Sequence, residues 1–269
     1  AVPGYMTGVS IASPDTSVVL PVFDLIQDAY RQDGDSLLTG VTRTLSCSGG
    51  GTMVIDATRL DRTAPTNGDT WNFTANNCVV NGNPQTGSMS IKVSGVSGDI
   101  FHSASGSITL DTVFHDFGGT KGVMTTISNG DMKIKATRTS LSDTTFVVSG
   151  ASLVVTVQQS GATVATRTLT SYSVTSTKQD ALLTTVANFS LSGTSNRLGK
   201  FAYTVKSLTP FISNNYDMPT SGALIVNGAG SSVTMTAGPD SVRLDYSDNA
   251  NGTIVNSATR LWSDFLSDY

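Results

Sequence analysis

Apolar and polar side chains alternate with a period of two along most of the chain from about residue 38 onward. Residues 106–115, for example, place Ile108, Leu110 and Phe114 on one side and mainly polar residues on the other. Such alternation is typical of antiparallel sheets that have one buried face and one hydrated face. The pattern therefore predicts an all-β protein built on a large antiparallel meander.

Turn signals divide this pattern into roughly twelve or more strands. Asn129-Gly130 is the strongest short hairpin signal, and Ser160-Gly161 joins two other long runs. Several runs reach about ten residues or more, which exceeds the usual strand length. Because long strands in one broad, twisted sheet tend to coil, we predict a rolled sheet or an open barrel. The predicted strands include residues 52–58, 87–94, 106–115, 122–128, 131–138, 146–159, 163–176, 182–191, 200–208, 223–227, 231–237 and 242–246.

One segment near the N-terminus has helical periodicity. Over residues 21–32 apolar side chains recur every three or four positions, with Asp, Gln and Arg on the other face. Pro21 suits a first helical turn, and Gly34 suits the position after the last turn. We expect one N-terminal amphipathic helix that packs on the sheet, and a closing helical turn at residues 261–266.

The chain divides into an N-terminal segment with the helix, residues 1–37, and a single antiparallel β domain, residues 38–269. No linker rich in Pro, Gly and Ser separates parts of the β domain. The best candidate breaks lie near residue 180 and at residues 210–219.

Composition narrows the choice of partners. Charged residues make up 13% of the chain and the net charge is −4, with 38 Thr and 35 Ser. No run of Lys or Arg occurs, so neither nucleic acid nor an anionic membrane surface is an expected partner. No apolar stretch approaches the roughly 20 residues that a transmembrane helix needs, so we expect no transmembrane segment.

Two cysteines, Cys47 and Cys78, bear on the cellular compartment. In an exported protein the expected state is one structural disulfide; two separate buried thiols are the alternative. The chain begins at Ala1 without Met, as a cleaved precursor would. We therefore expect an exported protein, extracellular or on the cell surface, with the periplasm as the alternative.

Glycine-containing motifs occur around the strands, at residues 47–52, 68–70, 77–78, 87–88, 199–201, 209–210, 219–222, 226–230 and 245–252, together with Phe73. This set of motifs resembles a group of proteobacterial exported or lipoprotein-like β proteins with no assigned function. The resemblance implies export and a β fold, over roughly residue 38 to the C-terminus, and it supplies no active site. The chain lacks the N-terminal Cys that carries the lipid in many such proteins, which puts membrane anchoring in doubt.

Catalytic signatures are sparse. No Gly-x-Ser-x-Gly motif occurs, and the only histidines are His102 and His115, without the spacing of a zinc site. His115 is followed by Asp116, but neighbours on a strand point to opposite faces. Every one of the 20 acidic residues is Asp. We favour a non-catalytic protein and keep a hydrolase that uses a pair of Asp residues as an alternative.

One stretch has the composition of a calcium loop. Asp245, Asp248, Asn249 and Asn251 are closely spaced oxygen-bearing side chains followed by a Gly. Oxygen ligands of this kind suit Ca²⁺, although the closing Glu of an EF-hand is missing. The alternative is a plain Asx-rich turn. No other cofactor is expected.

Two functional hypotheses follow. The first is a non-catalytic structural or adhesive protein of the cell surface that assembles through its strand edges, with itself or other surface components as partner. The second is a periplasmic or secreted carrier of an apolar ligand, in which the helix residues Phe23, Ile26 and Tyr30 line the mouth of an open barrel.

Overall fold

The computed structural model describes residues 41–61, 64–80, 82–101, 103–214, 218–248 and 252–267. These residues form one 14-stranded sheet in which every strand pairs with its neighbours in sequence. The pairing is antiparallel throughout. The predicted all-β antiparallel meander is therefore confirmed.

The strands become longer toward the centre of the sheet and shorter at both sides. In the described part of the chain one short helix, α1, follows the last strand and matches the closing turn expected there. In chain order the elements are β1 (Val41–Ser46), β2 (Thr52–Thr58), β3 (Thr70–Val80), β4 (Asn83–Gly98), β5 (Gly106–Lys121), β6 (Met124–Arg138), β7 (Thr144–Gln159), β8 (Ala162–Gln179), β9 (Leu182–Ser195), β10 (Gly199–Asn214), β11 (Ser221–Asn227), β12 (Ser232–Ala237), β13 (Ser241–Ser247), β14 (Asn256–Leu261) and α1 (Trp262–Ser267).

The expected rolled sheet or open barrel is wrong, because the sheet is neither closed nor strongly curled. In the described part of the chain β1 pairs with β2 alone and β14 pairs with β13 alone. The terminal strands have six residues each, whereas β8 has 18. A barrel seam needs strands of comparable length along its height. Two such short strands could not close a seam as tall as the central strands.

Two other expectations concern residues that lie wholly or partly outside the described ranges. The amphipathic helix over residues 21–32 lies entirely outside them. The division into residues 1–37 and a β domain, with a break near residue 180 or 210–219, stays a prediction.

The apolar core lies on one face of the sheet. Residues directly opposite each other on paired strands point to the same face, so the strand register groups the core side chains into transverse rows. Alternation in each strand thus becomes one continuous buried surface across the sheet. One row contains Phe73, Met89, Phe114, Gly130, Leu153, Leu169, Leu191 and Tyr203, and another contains Val93, Leu110, Ile134, Val148, Val174 and Ala187.

Bulges interrupt the long strands, and one of them overturns the strongest hairpin prediction. Asn129 and Gly130 do not form a turn, because β6 continues through both residues. The Asn129 side chain instead accepts a hydrogen bond from the Asp116 backbone N–H and donates one to Asp116 Oδ1, each at 2.8 Å. Asp116 has φ 48°, at a register shift between β5 and β6. The turn-like residues therefore stabilise a β-bulge, not a chain reversal.

A bulge changes which residues of a strand face the core. In β8 the buried residue before the shift is Leu169, and those after it are Tyr172 and Val174. The buried side chains are at odd-numbered positions before the shift and at even-numbered positions after it. The change occurs because one extra residue is inserted near Ser171, which has φ 48°. The extra residue keeps the core side chains on one face.

The Ser160-Gly161 turn is confirmed. It joins β7 and β8, with φ 50° at Ser160 and 82° at Gly161. Positive φ at both central residues matches the twist of an antiparallel hairpin.

The predicted disulfide between Cys47 and Cys78 is also confirmed. It links the turn after β1 to β3, over a sequence separation of 31 residues. Backbone hydrogen bonds join the same segments, since Val79 N–H donates to Gly50 O at 2.9 Å. The bond anchors the first hairpin to the longer strands of the sheet.

Candidate functional site

The calcium candidate is only partly described. Asp245 lies on β13, and Asp248 follows the strand and is exposed. Asn249 and Asn251 lie outside the described residues. In the ranges that the structure covers, no group of three or more His, Cys, Asp or Glu side chains could hold a metal ion.

The Asp245 carboxylate is engaged by two protein groups. Ser257 Oγ donates to Asp245 Oδ1 at 2.6 Å, and Arg243 Nε donates to the same oxygen at 2.8 Å. The Ser257 hydrogen bond has the largest effect and lowers the pKa of Asp245; burial opposes it, and the hydrogen bond and charge of Arg243 add to the lowering. A cation bound through Asp245 Oδ1 would compete with the guanidinium for this oxygen. The calcium site stays a prediction.

Several other carboxylates have structural roles. Asp69 is fully buried and accepts hydrogen bonds from Leu60 N, Thr66 N and Thr66 Oγ1, which holds residues 60 and 66 next to the start of β3. Asp131 accepts hydrogen bonds from Ala151 N at 2.9 Å and Ser152 N at 3.0 Å, at the bulge of β7. These oxygens satisfy backbone donors that the strand ladder leaves open.

The histidine candidates do not form a visible catalytic pair. His115 is exposed on β5, and its neighbour Asp116 is held by Asn129. His102 lies outside the described residues, as do Phe23, Ile26 and Tyr30 of the expected ligand mouth. Among the described residues, the predicted site residues that the structure brings together are the two cysteines of the disulfide.

The two sides of the sheet form a candidate interface. All residues of β14 are exposed, and so are residues 42–46 of β1. Each strand carries a large apolar side chain at its end, Leu45 with 43% of its surface exposed and Leu261 with 55%. Edge strands offer a row of backbone groups to a further strand.

Sequence reasoning missed an arginine on the core face. Arg167 lies between the buried Ala165 and Leu169 on β8, at the positions that face the core. Its direct neighbours across the sheet are Val155 on β7 and Gly193 on β9. The signal was present in the sequence, because Arg167 stands at an apolar position of the alternation in residues 163–169.

Two aromatic residues of β10 lie on the far side of Gly193. Phe201 is opposite Gly193, and Tyr203 is opposite Leu191 in the next row. Their ring centroids are 6.0 Å apart. Tyr203 is only 7% exposed, and its hydroxyl oxygen is buried without a hydrogen-bond partner in the described structure.

Fold and sites together define an all-β protein with an open meander sheet, one disulfide and two exposed lateral strands. Compared with known proteins, the chain matches no family model, no curated protein and no solved structure. The resemblance to proteobacterial exported or lipoprotein-like β proteins therefore stays a prediction. No helix in the described ranges has the length and apolar character needed to span a membrane.

Proposed function

We propose that this protein is an exported, non-catalytic structural or adhesive component of a cell surface that assembles with copies of itself through its edge strands. The observation that supports this most is the open sheet, in which β1 and β14 each pair on one side among the described residues. Strand addition at such an edge supplies main-chain hydrogen bonds to a neighbour.

The composition of the edges favours association. Natural sheet proteins commonly block edge pairing with Lys, Pro or inward-pointing charge. Neither β1 nor β14 contains Lys or Pro, and each contains one charged residue. Weak protection of both edges allows the β14 strand of one copy to lie beside the β1 strand of another.

A head-to-tail contact of this kind does not close on itself unless its rotation forms a ring. Heterologous contacts generate rings or open filaments. We therefore expect chains of copies whose length increases with concentration. The Cys47–Cys78 disulfide supports an oxidising location for such an assembly.

Sedimentation velocity over a range from low-micromolar to near-millimolar protein tests the proposal. We expect a concentration-dependent series of species, and filaments or rings in negative-stain images. Leu45→Lys and Leu261→Lys each place a charge on one edge and should weaken association by about tenfold or more.

Leu141→Lys is the matched control, because Leu141 is 83% exposed in the loop between β6 and β7, away from both edges. This variant should associate as the unmodified protein does. A protein that remains monomeric at every concentration would contradict the proposal, as would equal weakening by all three substitutions.

A further inference from the structure

Three neighbouring turns at one end of the sheet come from distant parts of the sequence. In a meander alternate turns lie at the same end, so the turns after β5, β7 and β9 are neighbours. Ser160 N donates to Val123 O at 2.8 Å, and Asn196 N donates to Val164 O at 3.0 Å, which joins the three hairpins. We call these turns, residues 122–123, 160–161 and 196–198, the projecting hairpins.

The projecting hairpins extend beyond the later turns at the same end. The turn after β9 ends at Gly199, whereas the turn after β11 begins after Asn227, which pairs with Thr204. Thr204 is five residues further along β10 than Gly199, so the two levels are about 17 Å apart along the strand. Asp248, in the turn after β13, lies near the lower level because β13 ends in register with β11.

The charge at the projecting hairpins is positive. Lys121, Arg197 and Lys200 lie in or beside these turns and are exposed. The strand segments that lead to and from the turns contain no acidic residue over residues 117–130, 151–170 and 189–206. The turns at the opposite end have mixed charge, since those after β4, β6 and β8 contain Asp99, Asp143 and Asp180 beside Arg138 and Lys178 on the strands.

Exposed apolar side chains lie among these cations. Val123 is 59% exposed, Met124 37% and Leu198 43%. Apolar side chains beside Lys and Arg suit an anionic bilayer, because the former enter the headgroup region while the latter meet the lipid phosphates. The three turns contain no aromatic residue on which a nucleic-acid base could stack.

We propose that the projecting hairpins dock this protein on the surface of an anionic lipid bilayer. The sequence alone does not predict this partner, because its Lys and Arg residues form no run. Antiparallel pairing collects the cations of three separate hairpins at one end of the sheet. The apolar side chains of the turns enter the headgroup layer, and the strands stay outside the bilayer.

Docking goes beyond the proposed assembly and does not require it, since the hairpins lie at a strand end and not at a lateral edge. The two are nevertheless compatible. β1 runs toward the projecting hairpins and β14 runs away from them, so antiparallel pairing of β14 with β1 of the next copy keeps these hairpins on the same side. An assembly would then bind one bilayer through several copies.

Vesicle flotation with dilute full-length chain tests docking separately from assembly. The probes are vesicles of phosphatidylcholine and vesicles with equal parts of phosphatidylcholine and phosphatidylglycerol. We expect binding to the anionic vesicles to be at least about tenfold tighter and to weaken as salt is added. Equal binding to both vesicles, or binding to neither, would overturn the proposal. Binding to soluble dextran sulfate as tight as to the anionic vesicles would also overturn it, by assigning the surface to a polyanion.

A pair of charge variants tests the cations. Lys121→Gln combined with Lys200→Gln should weaken binding to the anionic vesicles by about tenfold or more. Lys135→Gln combined with Lys206→Gln is the matched control, because it makes the same change in net charge at exposed positions in the middle of β6 and β10. Equal effects of the two double variants would contradict docking through the projecting hairpins.

A second pair tests the apolar tips at constant charge. Val123→Ser combined with Leu198→Ser should weaken binding to the anionic vesicles about tenfold, because less apolar surface enters the headgroup layer. Leu141→Ser combined with Leu182→Ser changes exposed leucines at the opposite end and should leave binding unchanged. Unchanged binding by the Val123 and Leu198 variant would be inconsistent with insertion of these tips.

Discussion

Some buried polar side chains of this sheet have a specific hydrogen-bond partner, and a few in the described ranges have none. Tyr172 donates its hydroxyl proton to the Asp131 carbonyl at 2.6 Å, and Trp262 Nε1 donates to Gly238 O at 2.9 Å. Thr112, on the core face between Ile91 and Met132, has a buried hydroxyl with no hydrogen-bond partner in the described ranges. An unsatisfied buried hydroxyl lowers the free energy of unfolding.

Thr112→Val should stabilise the protein by about 1 kcal/mol, because it replaces the unpaired hydroxyl with a methyl group of similar size. The comparison is Thr145→Val, which makes the same chemical change but breaks the Thr145–Thr177 hydroxyl contact at 3.2 Å. Denaturant unfolding of both variants checks the prediction. It fails if Thr112→Val is no more stable than Thr145→Val.

Gly87 illustrates a second requirement at the scale of the residue. It has φ 87°, and an added Cβ would collide with the backbone carbonyl of Asp116 at the β5 bulge. Gly161 has a similar φ of 82° but nothing within 4 Å of an added Cβ. Substitution of Ala for each of these two glycines therefore separates two contributions to stability. One is the free-energy cost of a positive φ, and the other is the cost of a Cβ that collides with the neighbouring strand.

We expect Gly161→Ala to cost about 1 kcal/mol of stability, and Gly87→Ala at least about 2 kcal/mol more, because only the latter must push two strands apart. Thermal or denaturant unfolding measures both values. Similar losses for the two variants would show that the close approach at Gly87 is not important.

At the scale of the elements, the long strands keep one buried face. The β-bulges keep the apolar side chains on that face, and polar side chains pair with each other across neighbouring strands. Lys92, Asp111 and Lys133 are direct neighbours on β4, β5 and β6 and alternate in charge. Lys133 Nζ lies 2.6 Å from Asp111 Oδ1. Partial burial raises the pKa of Asp111, but the hydrogen bonds from Lys133 and Ser94 and the two lysine charges lower it overall.

A lowered pKa in the folded state means that Asp111 stabilises the fold above its unfolded pKa of about 3.9, and that this contribution is lost as the pH falls through the folded pKa. Lys133→Met should raise the pKa of Asp111 and reduce this acid dependence. Because both side chains are substantially exposed, the loss at neutral pH should stay below about 1 kcal/mol. Carboxyl ¹³C titration by NMR measures the pKa; an unchanged value would contradict the ion pair.

The elements also show how much of the fold can be predicted from the sequence alone. Period-two alternation predicts most strands, because the alternation arises from burial of one face of the sheet. The bounds of β2, for example, are those predicted. The bulges are not predictable in this way. Asn129-Gly130 has the composition of a turn, and only its partner Asp116, on the neighbouring strand, makes it a bulge. Sheet closure likewise depends on pairing between distant strands, and local pattern carries no information about it.

At the scale of the whole molecule, the disulfide stabilises the weaker end of a tapered sheet. Cys78 is buried on β3, while β1 and β2 have only six and seven residues. Short strands near an edge bury little apolar surface, so the covalent link supplies what packing does not.

Cys47→Ser combined with Cys78→Ser should therefore lower stability by about 3–4 kcal/mol, the value expected for a closed loop of this length. Hydrogen exchange should show the loss concentrated in β1 to β3. Uniform loosening across the sheet, or no loss at all, would be inconsistent with this role.

Among the described residues β1 and β14 each pair on one side only, and the proposed assembly requires that these two edges pair with a neighbouring copy. Amide hydrogen exchange of β1 and β14, in dilute and in concentrated samples, tests this most directly. In dilute solution alternate amides of both strands should exchange rapidly because they point away from the sheet, and in concentrated solution these amides should become protected. Full protection of both strands in the dilute monomer, or fast exchange that does not change with concentration, would contradict the account.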